Sequence, residues 1–243
     1  MKQISIFALA ALTVFAACNP KHDSNDVRTF GMTGDVKAVR FSEEMLESSS
    51  AEAAEHFWAD KDKLEMTFDE QGRITLDSYG TVYQYDESGV FVPEAGSTAV
   101  MSRDAKGRIE AYDNTCLDDV DFSHYDISKY YKASYEYDAK GRPVRGEFAG
   151  WEWGETRTYQ YDGARVYPSV IIKEGGSEGW NEKTTVTYEY TEFDARGNWT
   201  ERFVTRQTDG WEACEEGVEP EIETTVIKTR EIRTITYWSD GQD

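Results

Sequence analysis

The sequence has few residues of the types that build metal centres and disulfide frameworks. Its 243 residues include three histidines and three cysteines. The histidines, His22, His56 and His124, are far apart, and no cluster of His and Cys has the spacing of metal ligands. This composition argues against a zinc or copper centre and against a disulfide-dense small domain. We therefore expect no cofactor.

Positive charge is scarce as well. The chain carries 26 Lys and Arg residues against 47 Asp and Glu residues, which gives a formal net charge of -21. A phosphate backbone would repel such a chain, and no stripe of basic residues interrupts the acidic composition. The charge therefore excludes nucleic acid as a partner. It also argues against binding to a membrane surface by any means other than a covalent lipid.

The common sequence signatures of catalysis are missing. The chain has no Gly-x-Ser-x-Gly elbow, no Gly-rich phosphate loop and no His-Glu-x-x-His sequence. A hydrolase that acts on sugars needs two carboxylates that face each other across a cleft. The 47 acidic residues form many accidental pairs, and the sequence does not identify a catalytic pair among them. The sequence therefore predicts a protein that is not an enzyme, with a carbohydrate-active hydrolase as the alternative.

Long apolar runs are limited to the start of the chain. A short basic start at residues 1–3 precedes an apolar run at residues 4–15, followed by Ala16, Ala17 and Cys18. This is the layout of a secretory signal, and the run is shorter than the roughly 20 residues of a membrane-spanning helix. The sequence Phe-Ala-Ala-Cys at residues 15–18 resembles the bacterial lipobox, with Phe where Leu is usual. The resemblance implies a signal peptide of residues 1–17 and lipidation of Cys18; the alternative is an ordinary secretory signal.

The mature chain is expected to have two parts. Several acyl chains on Cys18 would anchor it stably, in the outer membrane, on a side that the sequence leaves open. Residues 18–33 are polar apart from Phe30 and predict a lipidated N-terminus with a flexible tether. Residues 34–243 have the length of a single domain, and their many aromatic side chains provide enough surface to order it.

One short phrase recurs along this domain: an aromatic residue, Asp, two further residues, Gly, then Arg or Asn. It occurs at residues 68–74, 103–109, 137–142 and 193–199, with weaker copies at 85–90 and 161–163. Asp accepts hydrogen bonds from the backbone that follows it, and Gly supplies a positive φ, so each copy predicts a β-hairpin turn. Apolar residues alternate with polar ones beside the copies. The chain therefore predicts an all-β antiparallel meander of roughly ten to fourteen strands that forms a curled or twisted sheet.

Residues 135–142, Tyr-Glu-Tyr-Asp-Ala-Lys-Gly-Arg, resemble the YD (RHS-like) repeat, whose pattern is Tyr-x-Tyr-Asp-x-x-Gly-Arg. The other copies lose one of the tyrosines or the glycine. The resemblance implies strand-turn-strand units, which in that family form long shells or bind partners and carbohydrate; the copies here are too few to close a shell. The signal, the lipobox, the opening Gly-Asp-Val-Lys-Ala-Val at residues 34–39 and the repeats are together similar to uncharacterised surface lipoproteins of Gram-negative gut anaerobes.

A helix signal interrupts the meander once. Residues 49–52, Ser-Ser-Ala-Glu, fit a capping box and precede apolar residues at helical spacing. They predict one short helix near residues 50–58, and an irregular loop is the alternative.

A second interruption, at residues 114–129, contains acidic residues and a cysteine. Asp118, Asp119 and Asp121 are a weak candidate for calcium, because calcium takes several carboxylate oxygens at once; a solvated acidic loop is the interpretation we favour. Cys116 and Cys214 are the candidates for a disulfide in an oxidising compartment, and two buried unpaired cysteines are the alternative.

Gly-Trp sequences recur about thirty residues apart, at residues 150–152, 179–181 and 210–212. This is the spacing of a two-strand unit and predicts hairpin turns at the end of the sheet opposite the Asp/Gly turns. Trp151, Trp153, Trp180 and Trp211 would then form a row of flat apolar faces for a sugar ring or a protein partner. Alternatively, they cover neighbouring turns.

The functional hypothesis from the sequence is a non-enzymatic surface lipoprotein that recognises a glycan or a surface protein. Its partner would also include the membrane, through the lipid anchor. The alternatives are the sugar hydrolase and a purely structural envelope protein, which would bind no ligand.

Overall fold

The structure is a computed structural model that describes residues 25–59, 65–78, 80–93, 99–114, 131–214 and 219–241. The predicted signal peptide and lipidation site, residues 1–18, lie outside these ranges. Two further predictions also involve residues outside these ranges: the acidic cluster of Asp118, Asp119 and Asp121, and one of the two disulfide candidates, Cys116.

The described residues form an all-β structure with two short α-helices, which confirms the predicted fold class. The elements are α1 (Asn25–Thr29), β1 (Val36–Ser48), α2 (Ala51–Ala59), β2 (Glu65–Phe68), β3 (Ile74–Leu76), β4 (Gln84–Tyr85), β5 (Phe91–Val92), β6 (Val100–Arg103), β7 (Ile109–Asp113), β8 (Tyr131–Tyr137), β9 (Pro143–Gly150), β10 (Trp153–Gln160), β11 (Val170–Ser177), β12 (Trp180–Phe193), β13 (Trp199–Glu212) and β14 (Glu223–Tyr237). A 3-10 turn at Trp238–Gly241 follows β14.

Twelve of the strands form one antiparallel sheet in the order β3-β2-β1-β14-β13-β12-β11-β10-β9-β8-β7-β6, while β4 and β5 form a separate hairpin. From β6 to β14 each strand pairs with the next one along the chain, as the predicted meander requires. The last strand then pairs with the first, from Val36 opposite Tyr237 to Ser48 opposite Ile227. This long-range pairing places β1 inside the sheet and leaves β3 and β6 as its two edges.

The repeated phrase folds as the predicted turn. In the copy that begins at Asp138, the Asp138 N–H donates to the Arg142 carbonyl over 2.9 Å, and the Gly141 N–H donates back to the Asp138 carbonyl over 3.0 Å. The Asp138 carboxylate accepts the N–H groups of Lys140 and Arg142, each over 2.9 Å. Gly141 has a φ of 80°, which L side chains rarely adopt. The same backbone bonds occur in the turns that begin at Asp69, Asp86, Asp104 and Asp194.

A further turn of this kind begins at Asp77, where sequence analysis identified none. The Asp77 N–H donates to the Thr81 carbonyl over 3.1 Å, and the Gly80 N–H donates to the Asp77 carbonyl over 3.0 Å. The phrase is hidden there because Leu76 replaces the aromatic residue and Thr81 replaces the Arg.

Where the phrase contains an Arg, that side chain connects the turn to a tyrosine later in the chain. Nε of Arg142 donates to the Asp138 carboxylate over 2.8 Å, and its guanidinium lies 4.3 Å from the ring centroid of Tyr161. The Tyr161 hydroxyl donates to the Pro143 carbonyl over 2.7 Å. We call this set the Asp-Arg-Tyr link. Two equivalent links involve Asp69, Arg73 and Tyr85, and Asp104, Arg108 and Tyr137.

The sheet curls around the face that carries the core, which we call the inner face. Its buried side chains include Val39 of β1, Phe68 of β2 and Ile109 of β7. Met66 of β2 and Tyr135 of β8 line the same interior cavity, although seven strands separate β2 from β8 in the sheet order. The two halves of the sheet therefore face each other. The opposite face, which points away from this interior, is the outer face.

The prediction of a tether is wrong for residues 25–33. Val27 and Met32 are 2% and 1% exposed, and both belong to the core. The segment looked like a spacer because it is polar and its helix α1 has only five residues. Residues 25–33 therefore belong to the folded domain, which was predicted to begin at residue 34.

Asp26 shows why a polar segment can be buried here. Its carboxylate accepts the backbone N–H of Ile74 in edge strand β3 over 3.0 Å. The same carboxylate receives the guanidinium of Arg103 in edge strand β6, over 2.6 and 2.9 Å. Asp26 is 1% exposed. Its buried carboxylate therefore connects the two edge strands of the sheet, through a hydrogen bond to β3 and an ion pair with β6.

The predicted short helix is confirmed as α2, Ala51–Ala59. The Ser50 hydroxyl oxygen accepts the N–H of Ala53 over 3.0 Å, so Ser50 caps the helix, one residue later than the capping box predicted. In the described part of the chain, no helix is both long and apolar enough to cross a membrane.

Replacing Asp138 by Asn should lower the free energy of unfolding by about 1.5–3 kcal/mol, because a charge-assisted hydrogen bond to Arg142 is lost. Burial raises the pKa of Asp138, but the hydrogen bonds from Arg142 outweigh it, and the pKa is lowered. The stabilisation is therefore present above the ordinary pKa of Asp and is lost as pH falls through the lowered value. Urea denaturation of both proteins at pH 7 and at acidic pH measures the difference.

Asp162→Asn is the matched control, because its turn forms no Asp-Arg-Tyr link. The carboxylate of Asp162 lies 3.6 Å from Arg165, and both side chains are at least half exposed. We expect this change to stay within about 0.5 kcal/mol of the wild type. Equal losses in the two variants would show that the link does not stabilise the fold.

Candidate functional site

Two of the predicted tryptophans lie in one row across the inner face. Trp153 of β10 pairs with Ser177 of β11, and Ser177 pairs with Trp180 of β12. Residues directly opposite each other in antiparallel strands project from the same face. The two tryptophans are therefore two strand spacings apart, about 10 Å at the backbone. We call Trp153, Ser177 and Trp180 the Trp row.

Each indole of the Trp row covers a glycine of the neighbouring strand. The ring of Trp153 occupies the space that a side chain at Gly150 of β9 would fill, and the ring of Trp180 does the same at Gly210 of β13. The indoles thus lean away from β11, where Ser177 is exposed. The two indoles thus lie on either side of Ser177, and we call the space between them the groove; Trp153 is 40% exposed.

The other two predicted tryptophans lie elsewhere. Trp151 is in the turn between β9 and β10 and is 37% exposed. Trp211 lies inside β13, opposite Asn181, so it projects from the outer face, while its neighbour Gly210 faces inward. The predicted turn at residues 210–212 is wrong, because β13 continues through it. The four indoles consequently do not form the single row that the sequence predicted.

Charged side chains lie beside the Trp row, one level further along the strands. Glu155 of β10 and Glu182 of β12 flank Gly175 of β11 on the inner face. Glu155 forms an ion pair with Arg157 and lies 4.0 Å from Nζ of Lys173. The groove therefore offers carboxylates and cations beside two indoles.

The environment of Lys173 changes its pKa. Burial, together with the nearby charge of Arg157, lowers the pKa of Lys173.

Further along the inner face, a buried carboxylate holds two arginines. Glu231 of β14 accepts hydrogen bonds from Nε of Arg202 over 2.6 Å and from Arg206 over 2.7 Å. Arg206 also forms an ion pair with Glu43 of β1 over 2.7 Å, so the network crosses β13, β14 and β1. Burial raises the pKa of Glu231, but the charges of Arg202 and Arg206 outweigh it, and the pKa is lowered.

Sequence analysis missed this network. A signal was present, because Thr229, Glu231 and Arg233 are polar or charged at every second position. Such an alternation is typical of a face exposed to solvent, whereas the pairing places these residues on the inner face.

The predicted disulfide and calcium sites stay predictions. Cys214 is exposed, and its sulfur lies 3.4 Å from the Glu212 carbonyl oxygen, but Cys116 lies outside the described residues. The alternative of a buried cysteine is wrong for Cys214. The acidic residues 118–121 are also outside the described ranges; within those ranges, no three His, Cys, Asp or Glu side chains are grouped closely enough to hold a metal ion.

Comparison with protein-family models and with curated proteins finds no match for this chain. The function is therefore inferred from the geometry of the inner face.

Glu231→Gln should destabilise the fold by about 3–5 kcal/mol, because two largely buried arginines lose their shared carboxylate. The pKa of Glu231 is lowered in the folded state, so its stabilisation is present above the ordinary pKa of Glu and is lost as pH falls through the lowered value. Urea denaturation between pH 7 and pH 3 measures both effects.

Glu201→Gln provides the control on the outer face of the same pair of strands. Glu201 forms an ion pair with Arg230, whose side chain is 38% exposed. We expect little change in stability from this variant, because a solvent-screened pair contributes little. A loss as large as that of Glu231→Gln would contradict a special role for the inner network.

Proposed function

We propose that this protein is a non-enzymatic, lipid-anchored binding protein that recognises a glycan in the groove of the Trp row. The observation that carries the proposal is the placement of Trp153 and Trp180 on one face, at one level, on either side of small residues.

The chemistry of the groove suits a sugar. A sugar ring has an apolar face of C–H groups that stacks on an aromatic ring, and hydroxyl groups that need hydrogen-bonding partners. Trp153 and Trp180 supply the aromatic surfaces, while Glu155 and Glu182 supply acceptors one level away. A protein partner would also stack on indoles. The small residues between the two indoles, however, favour a narrow ligand that enters the groove.

The hydrolase alternative is less well supported by these contacts. A general acid in such an enzyme needs a carboxyl group whose pKa is raised. Two arginines lower the pKa of Glu231, so that carboxylate is suited to accept hydrogen bonds rather than to donate a proton. Glu155 is held in an ion pair with Arg157. A purely structural envelope protein is the remaining alternative, and it would bind no ligand.

Binding of the domain to a panel of glycans tests the proposal, with a protein that comprises residues 19–243. A ligand of the wild type should bind at least about tenfold more weakly to Trp153→Ala/Trp180→Ala, because two stacking surfaces are lost. Trp211→Ala is the matched control, since this indole lies on the outer face, and it should bind like the wild type. Absence of saturable binding to every glycan, or equal loss in the control, would refute glycan recognition by the Trp row.

The proposed location rests on residues 1–18. Export through the signal peptide and acylation of Cys18 would place the domain at the outer membrane, on the periplasmic or the surface side.

Metabolic labelling with a fatty acid in a Gram-negative host tests this location. The wild type should incorporate the label and fractionate with membranes, because Cys18 is acylated. Cys18→Ser should lose the label and accumulate as an unprocessed precursor, while Cys214→Ser should behave like the wild type. Unlabelled, soluble wild-type protein would instead indicate an ordinary secretory signal.

A further inference from the structure

A second candidate site lies inside the curl of the sheet, away from the Trp row. A cavity of about 230 Å³ separates residues 29–31 from the inner face. Aromatic rings make up much of its wall: Phe30, Phe41, Tyr159, Tyr167, Tyr188 and Trp199. Tyr188 is eight residues along β12 from Trp180, about 26 Å for an extended strand. The cavity is therefore a separate space from the proposed glycan groove, although Arg157, the ion-pair partner of Glu155, lines it.

Arg233 lines this cavity and has no ion-pair partner among the described residues. It is 3% exposed, its Nε donates to the Trp199 carbonyl, and its guanidinium lies 3.9 Å from the Trp199 ring. Its Nη2 is buried and has no hydrogen-bond partner among the described residues. Arg202 stacks on the same indole at 4.1 Å, but Arg202 has Glu231 as its partner.

The surroundings of Arg233 are unfavourable for an unpaired cation. Burial and the nearby charge of Arg202 lower its pKa. Within the described ranges, no carboxylate forms an ion pair with Arg233, and a buried guanidinium without a counterion is destabilising. A buried donor without an acceptor adds a further cost. Native structures seldom retain such a group unless a ligand, an ion or water satisfies it.

We propose that this cavity binds a small monocarboxylate with an apolar body, whose carboxylate accepts a hydrogen bond from Nη2 of Arg233. One positive charge needs one negative charge, so a monoanion fits better than a dianion such as phosphate. The aromatic wall matches an apolar ring or a short chain. The volume lies below the roughly 300 Å³ at which pockets for larger ligands begin, which limits the ligand to a single ring or a short chain.

Calorimetric titration of the full-length protein, expressed in a Gram-negative host and held in phospholipid nanodiscs, tests the proposal. Benzoate and hexanoate are the probes, benzamide is the neutral counterpart of benzoate, and empty nanodiscs correct for partition into lipid. We expect one molecule of a carboxylate per chain and at least about tenfold weaker binding of benzamide. Absence of saturable carboxylate binding, or equal affinity for benzoate and benzamide, would overturn the proposal without any variant.

Variants then assign the charge to Arg233. Arg233→Met keeps an unbranched apolar stem without the guanidinium and should weaken benzoate binding at least tenfold, while benzamide binding stays as in the wild type. Arg40→Met is the control, because the Arg40 side chain is 75% exposed on the far side of β1 from its neighbour Val39, and it should bind benzoate normally. A folded Arg233→Met protein with wild-type benzoate affinity would overturn the proposal and indicate that water satisfies Arg233. These outcomes do not depend on glycan binding, which is measured at the other end of the strands.

Discussion

The Asp-Arg-Tyr link is the interaction on which the rest of this sheet depends. In each complete copy, Asp forms the turn and holds Arg, Arg stacks on a tyrosine, and that tyrosine immediately precedes the Asp of a following turn, as Tyr161 precedes Asp162. The tyrosine hydroxyl also donates to the carbonyl next to Arg, so the turn and the later strand are joined by both stacking and a hydrogen bond. Successive hairpins are thereby fixed to one another at one end of the sheet, as neighbouring units are in repeat proteins.

The last copy shows how the same chemistry joins the ends of the chain. Asn198 replaces Arg, and its amide donates to the Tyr237 hydroxyl over 2.8 Å, while that hydroxyl contacts the Asp194 carboxylate. The amide oxygen of Asn198 accepts the N–H of Thr33 over 2.8 Å. A guanidinium has no acceptor and could not bind that N–H. Asn is therefore suited to this turn, because here the repeat meets the segment that leads into β1.

The sequence predicts the features of this fold that local chemistry determines, and it misses those that depend on distant partners. Each hairpin turn needs only an Asp and a Gly three residues apart, so most of the turns and the all-β class were recognised. Asp26 has partners 48 and 77 positions away and therefore resembled part of a tether. In the candidate site, Trp180 and Trp211 share a Gly-Trp phrase, but a one-residue difference in pairing register places them on opposite faces.

The inner face has an apolar region and a charged region, because the segments that pack over it are short. Strands β12, β13 and β14 have 14, 14 and 15 residues, about 45–50 Å in length, whereas among the described residues the segment 25–33 and the β4-β5 hairpin pack over the core. Most of the side chains under that cover are apolar, whereas the inner face beyond it carries several charged ones. Polar groups there must satisfy one another within the sheet, as Glu231 does with Arg202 and Arg206. A face that is enclosed but not filled keeps space for ligands, and for that reason both proposed sites lie on it.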